Sequence, residues 1–217
     1  QNNECESEKN VVEKFNYLIT VSNYITDKLK ERYPKSRANF LTIPNGYDKE
    51  DFKSFLKSNK TFNKINQIRL IFTGTFYDNA VKYLDLLSKW LFDIKYSNLN
   101  LYDSIYIDFY GTVSVDNQIF ANHKNILFHG FKDRDFVNSK ILESDACLLF
   151  LTDDINYSFS SKFCDYIALE KPILVFSNEG PTSNYVVENK IGESLSVNTS
   201  FSEFTKILSK ISNNPKQ

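Results

Sequence analysis

A chain of 217 residues, 41% hydrophobic and 24% charged, has the composition of a globular protein with a core of its own. A chain of that size buries roughly 70% of its unfolded surface and needs no disulfide or metal staple. The net charge of -1 and the dispersed basic residues exclude an electrostatic nucleic-acid binder. No apolar stretch approaches the ~20 residues that cross a bilayer, and no signal-peptide pattern is visible. Of three cysteines, Cys147 lies in the apolar run "ACLLFL" and Cys164 in a helical pattern, while Cys5 has polar neighbours. Buried thiols of this kind fit a reducing, cytoplasmic setting. The sequons at Asn59, Asn156 and Asn198 are what an asparagine-rich chain produces by chance. The chain contains no methionine and begins "QNNECESEKN", which leads us to expect an upstream domain of roughly 150 residues.

In chain order, the first ten residues are polar and read as a frayed tail. "YLITV" (17 to 21) is a short buried strand, Ser22 is placed to cap the helix "NYITDKLKERY", and "FLTI" (40 to 43) is a second strand. Pro44, Asn45 and Gly46 mark a turn, and residues 45–66 read as a linker holding a short helix. From residue 67 the pattern becomes regular. The strand "QIRLIFTG" closes on Gly74, "SIYIDFYG" on Gly111 and "NILFHG" on Gly130, with the amphipathic helix "NAVKYLDLLSKWLFDI" after the first. A helix near 134 to 144, the strand "ACLLFL", a helix from about Ser160, the strand "PILVF", a helix near 182 to 189, a short strand at "ESL" and a terminal helix follow. Nearly continuous apolar strands separated by helices predict an α/β, doubly wound, Rossmann-like parallel sheet over 67–217. Ligands of such sheets bind beyond the carboxyl ends of the strands, where Gly74, Gly111 and Gly130 fall.

The segment 158 to 176, "SFSSKFCDYIALEKPILVF", carries the most chemistry. Ser160 or Ser161 caps a helix whose first turn offers backbone N–H groups beside Lys162, a combination suited to phosphate. Asp165 follows Lys162 by three residues and shares its helix face, where a carboxylate can accept from ribose hydroxyls. The bland alternative is a capped helix with an acid suited to the dipole and a solvated lysine. Gly74 allows a substrate close to the backbone, or marks a tight turn only. Asp133-Arg134-Asp135 has the spacing of a metal-binding pair, but acids in a helix's first turn favour its dipole without any metal. His123 and His129 lack ligand partners at metal spacing, and there is no phosphate-binding P-loop, G-x-G-x-x-G or G-x-S-x-G.

Taken in order, the segments "YLITVSNYITDKL", "FLTIPNGYDKEDF", "IRLIFTGTF", "IDFYG", "NILFHGFKDRDFVNSKILESDACLLFL" and "SSKFCDYIALEKPILVF" resemble the carboxyl-terminal, donor-binding half of GT-B glycosyltransferases of the large retaining group that uses nucleotide-sugar donors. The resemblance spans residues 11 to 195. It implies that residues 1–44 are the tail, last strand and last helix of an amino-terminal domain, and 45–66 the crossing between domains. It further implies that Asp165 binds the donor ribose and that Ser160, Ser161 and Lys162 meet the diphosphate. Gly74 and Thr75 would approach the diphosphate or sugar, Gly111 and Thr112 the nucleotide, and Phe131 the base. The chain departs from the family pattern where Tyr157 replaces the first glutamate, Thr75 an arginine, Ala80 a lysine and Glu170 a glycine. Lys82 or Lys162 would then carry the charge that the lost cations supplied.

The resemblance implies sugar transfer from a UDP- or GDP-linked donor to a glycan or lipid-linked acceptor, in surface polysaccharide biosynthesis. No cofactor and no metal are expected, acceptor and catalytic groups would lie on the missing domain, and the full-length protein could sit at the inner face of the membrane. A GT-B binding or assembly module that has lost its chemistry, and a nucleotide-sugar epimerase, remain open beside it.

Overall fold

The computed structural model describes residues 2–57, 67–112, 117–152 and 157–213, with 2–5, 117 and 118 as backbone alone. Residues 58–66 of the expected linker, the sequons at Asn59 and Asn156, and the Cys5 side chain lie outside the described residues.

Helix α1 (Asn2–Lys14), strand β1 (Tyr17–Thr20), helix α2 (Asn23–Arg32) and strand β2 (Asn39–Thr42) form a small unit in which the two strands pair in parallel. Ser22 caps α2 as expected, its hydroxyl accepting from the Ile25 N–H at 3.3 Å. Hydroxyls of Thr20, Thr26 and Thr42 link α2 to both strands at 2.5 and 2.7 Å. The opening segment is helical rather than frayed. Its hold is long-range: Glu8 accepts from Arg32 and from the Tyr33 phenol, and Val12 is buried. The expected linker helix is α3 (Lys49–Lys57), and it is not a loose spacer. Phe52 is only 1% exposed and joins the core against Ile71 and Ile141.

The main sheet has six described strands, all parallel: β3 (Ile68–Thr73), β4 (Ile105–Tyr110), β5 (Ile126–Gly130), β6 (Ala146–Phe150), β7 (Ile173–Phe176) and β8 (Gly192–Leu195), in the order β5-β4-β3-β6-β7-β8. Helices α4 (Val81–Ser97), α5 (Leu99–Ser104) and α9 (Phe201–Asn213) cover one face, where Trp90 stacks on Phe204 at 4.5 Å over Phe176. Helices α6 (Arg134–Glu143), α7 (Ser161–Ala168) and α8 (Pro181–Glu188) cover the other, packing on Ile71, Cys147, Leu149 and Val175. Every residue of β6 and β7 is buried, as strands covered on both faces must be.

The strand order reverses between β3 and β6, whose following helices α4 and α7 pack on opposite faces. Their pairing runs from Leu70 opposite Ala146 to Phe72 opposite Leu148 and then stops. At the divergence the Thr73 N–H loses its strand partner and finds the Tyr166 phenol oxygen at 3.0 Å instead. Tyr166, on α7, also shares a hydrogen bond with the Thr73 hydroxyl and donates to the Leu148 carbonyl at 3.3 Å. Complete burial pushes the phenol far above its ordinary pKa, so it keeps the proton it donates. This side chain therefore fixes α7 against the ends of both central strands. Tyr166→Phe leaves a buried donor and acceptor without partners, and should cost about 1–3 kcal/mol in urea unfolding; an unchanged midpoint would show the phenol oxygen to be dispensable.

Candidate functional site

Three glycines in left-handed backbone close β3, β4 and β5 on one side of the switch point: Gly74 (φ 108), Gly111 (φ 118) and Gly130 (φ 66). They are stitched to one another, with the Gly74 N–H donating to the Tyr110 carbonyl at 2.7 Å and the Gly111 N–H to the Gly130 carbonyl at 2.8 Å. A Cβ on Gly111 would sit 2.2 Å from the Gly74 carbonyl oxygen, so no side chain fits there.

Gly74 has a different neighbour. A Cβ on it would fall 1.5 Å from Cε and 2.4 Å from Nζ of Lys162, so the lysine stem lies directly on the glycine. The sequence suggested a glycine kept bare for substrate or for a turn; the bare surface is also the bed of Lys162. That lysine stands in the first turn of α7, which Ser160 caps by accepting from the Phe163 N–H at 3.2 Å. Among the described residues the Ser161 and Lys162 N–H groups have no acceptor, and none lies within hydrogen-bonding distance of the ammonium. Desolvation holds the Lys162 pKa below its ordinary value, against the pull of the Asp165 charge. A half-buried cation and two N–H groups without acceptors among the described residues thus belong to the first turn of one helix, a combination that suits anions.

Asp165 lies one turn further along, its side chain 29% exposed. Desolvation raises its pKa, and the Arg134 guanidinium, 3.4 Å away, opposes that shift. Thr75 and Thr112 are exposed beside their glycines, the Thr112 carbonyl accepting from the Phe76 N–H at 2.8 Å. Phe131 follows Gly130 at the rim, 84% exposed and without an aromatic partner among the described residues. The structure therefore brings Gly74, Gly111, Ser160, Ser161 and Lys162 together, with Asp165 adjacent and Phe131 further out.

The departures from the family pattern have structural counterparts. Ala80 is 3% exposed, with the core packed around it, and Lys82 lies over the Tyr83 ring at 5.0 Å. Tyr157 stacks on Tyr24 of α2 at 5.2 Å and 18°, and the nearby Phe159 carbonyl accepts from Asn45 at 2.8 Å. Position 157 is thus a joint between the small unit and the main sheet. Glu170 keeps the positive φ (54) that suits the family's glycine. Asp133 is the N-cap of α6, accepting from the Phe136 N–H at 2.9 Å, and among the described residues no group of three His, Cys, Asp or Glu could hold a metal. His123 is buried between Tyr102 and Ser88, and His129 pairs with Asp108. Sequence reading missed Arg134, Asp51 and Tyr24 as neighbours of this region; only the placement of Arg134 at a helix start hinted at a role.

A hollow of about 400 Å³ lies elsewhere, lined by Ile167, Leu174, Ile191 and Ile207. Its lining includes Pro172 and Gly192, at the amino ends of β7 and β8, so it is remote from the glycine cluster.

A six-stranded parallel sheet with this order, with glycines at the strand ends beside its switch point and joined to a small unit of two parallel strands and two helices, matches the Rossmann-like half of a GT-B fold. Among solved structures the chain is similar to WaaG, a glycosyltransferase involved in lipopolysaccharide biosynthesis, with 14% identity over 91% of this chain and 54% of that one and a TM-score of 0.60. It is likewise similar to a mutant of TarM from S. aureus in complex with fondaparinux, alpha-GlcNAc-glycerol and UDP, with 17% identity over 97% of this chain and 40% of that one and a TM-score of 0.64. A third is a UDP-forming alpha,alpha-trehalose-phosphate synthase from Burkholderia xenovorans, with 8% identity over 99% of this chain and 56% of that one and a TM-score of 0.68. At these identities the likeness is one of fold, and the chain spans about half the length of the proteins it matches. No family model and no curated protein matches it.

The depressed Lys162 pKa carries a stability prediction. The unfolded chain holds that proton more tightly, so the folded lysine works against stability at neutral pH, and the penalty fades as pH rises toward its ordinary value of 10.5. Lys162→Met, which keeps the stem on Gly74, should be at least as stable as wild type at about pH 7 in urea unfolding, with its advantage shrinking as pH rises. A variant clearly less stable at neutral pH would mean that the ammonium has a stabilising partner.

Proposed function

We propose that this chain is the donor-binding portion of a glycosyltransferase that takes a sugar from a UDP- or GDP-linked donor. The observation that carries the reading is Lys162 lying across Gly74 at the switch point, beside the open N–H groups of α7. A diphosphate there would meet an ammonium, two N–H donors and a helix dipole. These same groups would stabilise the charge that develops on the nucleotide as the glycosidic bond breaks. Asp165 would accept from the ribose hydroxyls, Thr75 and Thr112 would border the diphosphate, and Phe131 would offer its exposed face to the base. No divalent metal is needed in this scheme, since the cationic work falls to Lys162 and the helix terminus.

Acceptor and catalytic groups would belong to a second lobe, of which residues 1–44 are one edge and 45–66 the crossing. Supporting that division, β1 and β2 turn Tyr17, Ile19 and Leu41 outward, as does Ile43 just after β2, all at least 46% exposed, although parallel strands are ordinarily covered on both faces. A glycan or lipid-linked acceptor, in surface polysaccharide assembly at the inner face of the membrane, completes the proposal. The buried Ala80 and the Tyr157 stack favour a second reading, an assembly module that keeps the fold without the chemistry.

Calorimetric titration of UDP, GDP and their sugars, with a chelator present, separates the two. The donor reading expects binding of one nucleotide series, weakened about tenfold or more in Asp165→Ala and in Lys162→Met, since hydrogen bonds to charged groups contribute about 1.5–3 kcal/mol. Absence of binding in every series would favour the assembly module, and equal affinity in wild type and both variants would overturn the roles given to Asp165 and Lys162.

A further inference from the structure

Asp165 is half-buried, and burial disfavours the ionised form that would accept from two hydroxyls. Among the described residues the only side chain donating to it is Arg134, whose Nη2 lies 3.4 Å from Oδ1. Arg134 is held from three sides. Its Nη1 is 3.5 Å from Asp51 of α3, its guanidinium lies over the Phe52 ring at 5.2 Å, and its backbone opens α6. Phe52 is itself buried in the core, so the platform under the guanidinium is rigid. Arg134 and Asp51 are 57% and 54% exposed, and exposed ion pairs at these distances add little to stability. The arrangement is better suited to orienting a carboxylate than to holding the fold.

We infer that Arg134, braced by Asp51 and the Phe52 ring, is a positioning residue that keeps the Asp165 carboxylate ionised and engages one of its oxygens, leaving the other free for the nucleotide's ribose. The inference rests on the donor reading for the ribose, but the hold on Asp165 can be measured without any nucleotide. The charged groups facing Asp165 are Arg134 from α6, Asp51 from α3 and Lys162 from its own helix; Arg134 and Lys162 favour ionisation, while Asp51 opposes it. The Cys164 thiol and the Tyr166 phenol are its other titratable neighbours on α7, and both are pushed up by burial.

The decisive experiment follows the Asp165 side-chain carboxyl by carbon-13 NMR through a pH titration of wild type, Arg134→Gln, Arg134→Lys and Asp51→Asn. Loss of the guanidinium should raise the Asp165 pKa by about one unit, the low end for an opposite charge at this range and exposure. Arg134→Lys should restore part of the shift, and Asp51→Asn should move the pKa down. Nucleotide titrations of wild type and Arg134→Gln between about pH 5 and pH 8 should then lose affinity at a higher pH in the variant, because the ribose acceptor is protonated sooner. An Asp165 pKa unchanged in Arg134→Gln overturns the inference whatever nucleotide does. A raised pKa with no pH-dependent change in nucleotide affinity overturns its ribose half. A raised pKa in a protein that binds no nucleotide at all supports the hold on Asp165 and strikes the donor reading alone.

Discussion

Most of what is distinctive in this fold follows from how closely backbone can approach backbone at the carboxyl ends of β3 and β4, beside the divergence of β3 and β6. With no Cβ on Gly111, its Cα rests against the Gly74 carbonyl; with none on Gly74, the Lys162 stem settles on its Cα. The strand ends are thereby drawn together at one level, and α7 can begin almost on top of them. A side chain at Gly111 would wedge the strand ends apart, and one at Gly74 would displace the Lys162 stem. Tyr166 answers the complementary problem, supplying the hydrogen-bond partners that two diverging strands can no longer give each other. Glycine removes bulk and tyrosine restores polar contacts, and between them the position of Lys162 follows.

The electrostatics at the start of α7 follow from that geometry. Lys162 and Asp165 are each partly withdrawn from water, and each has its charged form disfavoured by it. The Lys162 ammonium is partly buried without an acceptor among the described residues, a net cost to the fold, and Asp165 has the Arg134 guanidinium at 3.4 Å to offset its own burial. Their persistence one turn apart, at a helix start with open N–H groups, is the strongest physical indication that the region is built to meet something charged and polar. The surrounding charges on Asp51 and Arg134 tune this region without closing it.

Much of the fold was legible in the sequence because its strands are apolar runs ended by glycine, and burial on both faces demands that pattern. The placement of Lys162 near Gly74 was foreshadowed only by type and order, for nothing in the intervening residues states that β3 and β6 are neighbours. What escaped sequence reading depends on distant partners. Helix α1 is polar almost throughout, with Val12 as its buried anchor, and its side-chain ties come from Arg32, Tyr33 and Ser36. Helix α3 read as linker because Phe52, Phe55 and Leu56 among charged residues are weak periodic evidence in so short a segment, although Phe52 is fully buried. Arg134 and Asp165 stand 31 residues apart, and Tyr24 meets Tyr157 across an even longer interval, so no local rule could pair them.

The strand order has a kinetic consequence as well. The inner strand β3 meets β6 only after a long excursion of chain: the Arg69 N–H finds the Asp145 carboxylate 76 residues away. Closing so long a loop is entropically slow, and parallel pairing offers no tight hairpin as a shortcut. The cradle at the switch point is therefore among the late features to assemble. Until β6 arrives, one edge of β3 is an unpaired apolar template during synthesis and refolding, and the chain's vulnerability to misassociation is greatest in that interval.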